Sequence, residues 1–190
     1  MRGGGGANAF RLCASAFSAL VLSVAAYANR YAPGLAVSGE ESAGTWLSGV
    51  LLVAAMTLSL LAAVRVGNRA WYPIALFFSL LALDERFMFH ERLARRLAFA
   101  FPQVSPSWKW LHQAPVLAGA LAGAAVTGFL WKRLGRGARG LLLAAAGMGT
   151  ASVLMDMLAA GAYIEDGLKL MAELALVCAL AEVPFQENTR

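Results

Sequence analysis

The chain has 190 residues, enough for one domain, and 59% of them are hydrophobic. Mean hydropathy is +0.63 and only 14% of residues are charged, against roughly 25% in a typical soluble domain, so an ordinary soluble globule is excluded. The net charge is +5, but the basic residues cluster between apolar runs and form no stripe interleaved with aromatics, which sets nucleic acid aside and points to the lipid bilayer as partner.

Residues 1–11, MRGGGGANAFR, are Gly-rich and read as a disordered N-terminus. Residues 12–184 read as a single transmembrane helical domain, and 185–190 as a C-terminal tail. The run 12–29 carries no charge and just suffices for a bilayer core, which needs about 20 apolar residues in helix. A cleaved signal peptide is the rival reading. Arg2 and Arg11 would form its basic region, and Ala26-Tyr27-Ala28 fits the small-x-small cleavage rule. Both readings place residue 30 outside the cytoplasm.

Residues 29–41 are a loop punctuated by Pro and Gly. A second span covers 42–64, and 65–69 make a short basic turn. The third span starts near Ala70 and reaches Asp84 and Glu85 before it is long enough. It therefore carries those acids into the membrane or stops short. Residues 101–115 read as an interfacial loop with Trp108 and Trp110 at headgroup level. The fourth span, 116–131, holds Gly119 and Gly123 at small-xxx-small spacing, with Gly128 beyond, a pattern that lets helix backbones approach closely in lipid. Residues 132–139 are a basic loop. The fifth span, 140–161, is interrupted by Asp156. The sixth, 163–183, opens with Glu165, Asp166, Lys169 and Glu173 before turning apolar. The expected fold is all-α, a polytopic bundle of about six spans. Trp46, Trp71, Trp108, Trp110 and Trp131 all fall near span boundaries, as in an aromatic belt. Cys13 and Cys178 sit in apolar runs and read as buried free thiols.

Cytoplasmic loops carry the excess of Lys and Arg. With the N-terminus inside, the inner segments hold Arg2, Arg11, Arg65, Arg69, Lys132, Arg133, Arg136 and Arg139. The outer ones hold Arg30, Arg92, Arg95, Arg96 and Lys109. The balance predicts a bacterial inner-membrane protein with both termini in the cytoplasm. On that topology Glu40, Glu41, Asp84, Glu85, His90, Glu91, His112, Asp156, Glu165 and Asp166 all gather toward the outer face, from separate helices.

The stretches LALDERFMFHERL and AYIEDGLKLMAEL resemble those of an uncharacterised group of bacterial multispan proteins. In that group the third span carries SLDE followed by HE, and the last span carries EE followed one turn on by Lys or Glu. The matching residues are Leu83, Asp84 and Glu85 with His90 and Glu91, then Glu165 and Asp166 with Lys169. Asp156 matches an acid in the preceding helix. The resemblance covers roughly residues 45–182. Asp166 replaces the second Glu, and Ala172 stands where Gly is common. It implies a shared polar site and no particular reaction.

Ionisable groups inside a span face the bundle interior or a water-filled cavity, and pair there. As one continuous helix, the third-span motif puts Asp84 and Glu91 on one face and Arg86 with His90 on another. Glu91 and Arg95 form an i,i+4 pair, and Glu165, Lys169 and Glu173 form an i,i+4,i+8 ladder in which Lys169 neutralises an acid. Three readings of the polar set Asp84, Glu85, Arg86, His90, Glu91, Asp156, Glu165, Asp166, Lys169 and Glu173 stay open. One is a divalent metal held by His90, Glu91, Asp84, Asp156 and Glu165, activating water against a lipid-like substrate. Two histidines in all rule out a three-histidine zinc site, and neither a one-turn ExxH pair nor HExxH is present. The second is a buried ion-pair network in a structural or scaffold subunit. The third is a small proton or cation transporter. Arg92, Arg95 and Arg96 rim the site, where they attract anionic headgroups or an anionic substrate.

Overall fold

The computed structural model describes residues 8, 11–13, 15–19, 23, 43–100, 114–158 and 162–184. Among them every regular element is helical. The long helices are α1 (Ala43–Val66), α2 (Trp71–Phe87), α3 (Phe89–Ala100), α4 (Ala114–Trp131), α5 (Arg136–Met157) and α6 (Ala162–Leu180). Residues 11–13 and 15–19 are also helical. Three helices are long and apolar enough to cross a membrane: α1, α4 and residues 136–156 of α5, with mean hydropathies of 2.3, 1.6 and 1.4.

The boundaries follow local chemistry. Beyond α1, Gly67 takes φ +67°, the left-handed stop that costs glycine nothing. The Asn68 side chain then accepts from the Ala70 N–H at 2.9 Å and turns the chain into α2. Pro115 sits in the first turn of α4, where a missing N–H does no harm. The basic loop expected over 132–139 is shorter than its composition suggests. Gly135 is extended and caps α5, so Arg136 already opens a helix whose first turn buries Ala138.

α1 packs against α2 and α6, α6 also against α5, and α5 against α4. Leu47, Leu51, Ala55, Leu58 and Ala62 make one buried helical stripe along α1. The two alanines let its neighbours come close. On α5 a methyl built at Gly149 would lie 3.8 Å from the Ala172 Cβ of α6, so the tight small-residue seam is here. The seam expected at Gly119 and Gly123 is different. Nothing lies within 4 Å of a methyl built at Gly119 or Gly128, and Gly123 faces the end of the Phe77 ring. Among the described residues, α4 is hardly covered at all.

Two further expectations change. Trp71 is 1% exposed and packs edge-on to Phe129 at 5.5 Å, so it anchors α2 to α4 and is no belt residue. Trp46 and Trp131 are exposed, while Trp108 and Trp110 lie outside the described residues. Cys178 is buried as expected, but Cys13 is exposed.

Buried and exposed apolar positions predict different costs of truncation. Phe78→Ala, in the α1–α2 core at 1% exposure, is expected to cost about 3 kcal/mol in denaturant unfolding of the detergent-solubilised protein. Leu121→Ala, 74% exposed on α4, is expected to stay within about 0.5 kcal/mol of wild type.

Candidate functional site

The helix through the third-span motif is not continuous. Met88 has φ 51° and ψ 45°, a left-handed conformation that ends α2. Asp84 makes the joint. Its carbonyl accepts from the Met88 N–H at 2.7 Å. Its carboxylate accepts from the His90 N–H at 2.8 Å and meets His90 Nδ1 at 2.7 Å. One residue thus closes α2 and caps the start of α3, satisfying a donor that has no intrahelical partner. The break cancels the shared faces expected for Asp84 with Glu91 and for Arg86 with His90. Glu91 does pair with Arg95, at 3.7 Å on an exposed surface, where such pairs contribute little.

Glu85, one residue on from Asp84, turns inward. It is paired with Lys169 of α6, and its side chain is 15% exposed. The lysine is therefore neutralised from another helix rather than by its own ladder partners, although Asp166 and Glu173 also act on it electrostatically. One turn deeper, Ser48 of α1 donates its hydroxyl to Glu173 Oε1 at 2.7 Å. Both residues are buried, and Glu173 Oε2 has no hydrogen-bond partner among the described residues. A pocket of about 10 Å³, the size of a single water, lies among Gly44, Ser48, Glu85, Asp166 and Lys169.

The site is therefore built by the start of α1, the end of α2 and the start of α6. Sequence reasoning missed Ser48 and the contribution of α1, because a serine in a charge-free span carries no signal of its own. Asp156 is exposed at the end of α5 and acts on Glu165 from nearby. The metal set is split. Asp84 and His90 hold the α2–α3 joint, Glu91 faces Arg95, and Asp156 with Glu165 belongs to the α5–α6 end. Among the described residues no three of His, Cys, Asp or Glu are grouped to hold a metal ion. Glu40, Glu41 and His112 lie outside the described residues.

The opposite end of the bundle is basic and separately tied. Arg11 pairs with Glu182 and donates from Nε to the Cys178 carbonyl at 2.9 Å. Arg65 donates to the Pro184 carbonyl at 3.3 Å. Arg133 and Arg139 lie over the rings of Phe129 and Trp131.

Coupling across the polar end is measurable. Lys169→Met leaves the Glu85 carboxylate without its cation and is expected to cost about 2 kcal/mol in unfolding. Adding Glu85→Gln should recover at least half of that loss in a double-mutant cycle; strictly additive losses would mean the two residues act independently. Asp84→Ala is expected to cost about 1 kcal/mol and to speed amide exchange at the start of α3.

No curated protein and no solved structure matches the chain. Residues 9–183 match the family described as Domain of unknown function (DUF8692), and the chain belongs to that family.

Proposed function

We propose that this chain is a six-span bacterial inner-membrane protein with both termini in the cytoplasm, and that it works as a structural or scaffold subunit whose outer end is held by buried ionic and polar contacts. The carrying observation is that the polar residues there reach across helices: Glu85 of α2 to Lys169 of α6, and Ser48 of α1 to Glu173 of α6. Groups arranged this way hold a bundle together, because each is expensive to bury alone.

Charge placement supports the orientation. Arg11, Arg65, Arg133 and Arg139 gather at the end where α1 stops and α5 starts, while Glu85, Asp166 and Lys169 gather at the other. Cytoplasmic ends are the basic ones. Helix α3 suits an interfacial position on the outer side. Phe89, Leu93 and Leu97 line one of its faces, Arg95 lies opposite, and Arg92 and Arg96 flank the apolar stripe beside Phe89.

A metal-dependent hydrolase has less support, since its donors are split between the α2–α3 joint and the α5–α6 end. A proton or cation path draws on one observation, the buried Glu173 oxygen without a partner. Deeper along α1 the buried Ser59 hydroxyl donates to the Ala55 carbonyl of its own helix.

Cysteine accessibility tests the orientation. In a background with Cys13 and Cys178 replaced, Arg92→Cys should react with an impermeant maleimide in intact cells, and Arg136→Cys only after permeabilisation. Labelling of both from the same side would overturn the topology. Elemental analysis separates the scaffold from the hydrolase: substoichiometric metal and a melting temperature unchanged by chelator are expected, and stoichiometric metal lost in His90→Ala would reverse the choice.

A further inference from the structure

A cavity of about 290 Å³ opens between α1 and α2 beside the ionic site, close to the roughly 300 Å³ at which small-molecule pockets begin. Its wall is almost entirely apolar, with Gly49, Val50 and Val53 from α1 and Ala82 from α2. Trp46 and Arg86 border it, and the Arg86 guanidinium lies 5.0 Å from the centre of the Trp46 ring. Both belong to the polar end of their helices, Trp46 in the first turn of α1 and Arg86 in the last turn of α2. From Trp46 to Val53 the groove runs about 10 Å along the helix. It is thus cationic and aromatic at the end of the bundle and apolar toward the middle.

Charge bookkeeping makes the cation available. Glu85 also borders the cavity, but its carboxylate is taken by Lys169. Among the described residues Arg86 has no carboxylate partner, and its guanidinium lies over the Trp46 face. An exposed arginine stacked on an aromatic keeps its donors for a planar or tetrahedral anion. A methyl built at Gly49 meets nothing within 4 Å, so the groove is open rather than filled by a neighbouring side chain.

We propose that the α1–α2 groove is a binding site for one anionic phospholipid, its headgroup phosphate on Arg86 beside Trp46 and the upper part of an acyl chain along Gly49, Val50 and Val53. The polarity of the groove matches a lipid of the outer leaflet, with its charge at the interface and its chain toward the midplane. The site rests on the membrane-spanning reading above and adds a ligand class to it. The neighbouring Glu85–Lys169 pair favours an anionic headgroup, because it neutralises the carboxylate that borders the groove among the described residues.

Native mass spectrometry of the full-length protein in detergent, titrated with dioleoyl phosphatidylglycerol or dioleoyl phosphatidylcholine, tests the site. One phosphatidylglycerol should be retained about fivefold more tightly than phosphatidylcholine, the scale of a single arginine–anion contact near a membrane surface. Arg86→Gln should abolish the preference, weakening phosphatidylglycerol more than phosphatidylcholine, whose phosphate is already offset by its choline ammonium. Gly49→Leu, whose Cβ meets nothing within 4 Å, puts a side chain in the groove and should weaken both lipids; Val53→Trp, obstructing the deeper end, should do the same. Equal retention of the two lipids by wild type, or wild-type retention of phosphatidylglycerol by both groove-filling variants, overturns the proposal while the scaffold reading stands. A chain that remains monodisperse without detergent overturns the membrane reading and the lipid site together.

Discussion

The part-buried pairing of Lys169 with Glu85 sets the terms for the helices around it. An ammonium partly withdrawn from water is stabilised by a carboxylate at contact distance and further acceptors around it. The carboxylate comes from Glu85, the last inward-facing residue before α2 ends, so α2 must stop where α6 begins its buried stretch. Glu173 lies one turn deeper and takes its hydrogen bond from Ser48, which brings the start of α1 into the same junction. Three helices are thereby brought into register at one end by the cost of leaving charged or polar groups without partners. Contacts of this kind define which arrangement is adopted more than they add net stability.

Consecutive residues divide the work at the end of α2. Successive side chains on a helix point about 100° apart. Asp84 points to the joint with α3, Glu85 to the interior and Arg86 to the groove beside Trp46. The left-handed residue Met88 follows at once, which lets a buried helix continue as a surface one within a single residue. The run from Asp84 to His90 is thus a junction, a charge contact and a rim in succession. Its unusual density of ionisable groups after an apolar helix has a structural cause in each case.

The two ends of the bundle are closed by different chemistry. The basic end uses arginines on backbone carbonyls, with Arg11 on Cys178 and Arg65 on Pro184, so cations complement the carbonyl-rich C-terminal end of α6. The other end uses carboxylates against a lysine and a serine. At the acidic end Arg86 lies over the aromatic face of Trp46.

Composition and periodicity by themselves determined the helical class and the apolar runs that became α1, α4 and α5. Those properties are local sums of hydropathy and charge along the chain, which need no partner to be read. The i,i+4 pair of Glu91 with Arg95 was legible for the same reason. The partners of Glu85, Lys169 and Glu173 were not, because each is met by a residue far away in sequence, and Ser48 looks like any other serine in an apolar run. The break at Met88 was equally hidden, since nothing in a methionine announces a positive φ and only the Asp84 carboxylate reaching His90 makes that turn stable. The burial of Trp71 and the bareness of Gly119 follow the same rule. Whether an apolar side chain or a small residue meets a neighbour is decided by which helices pack together, and that choice exists only in the tertiary structure.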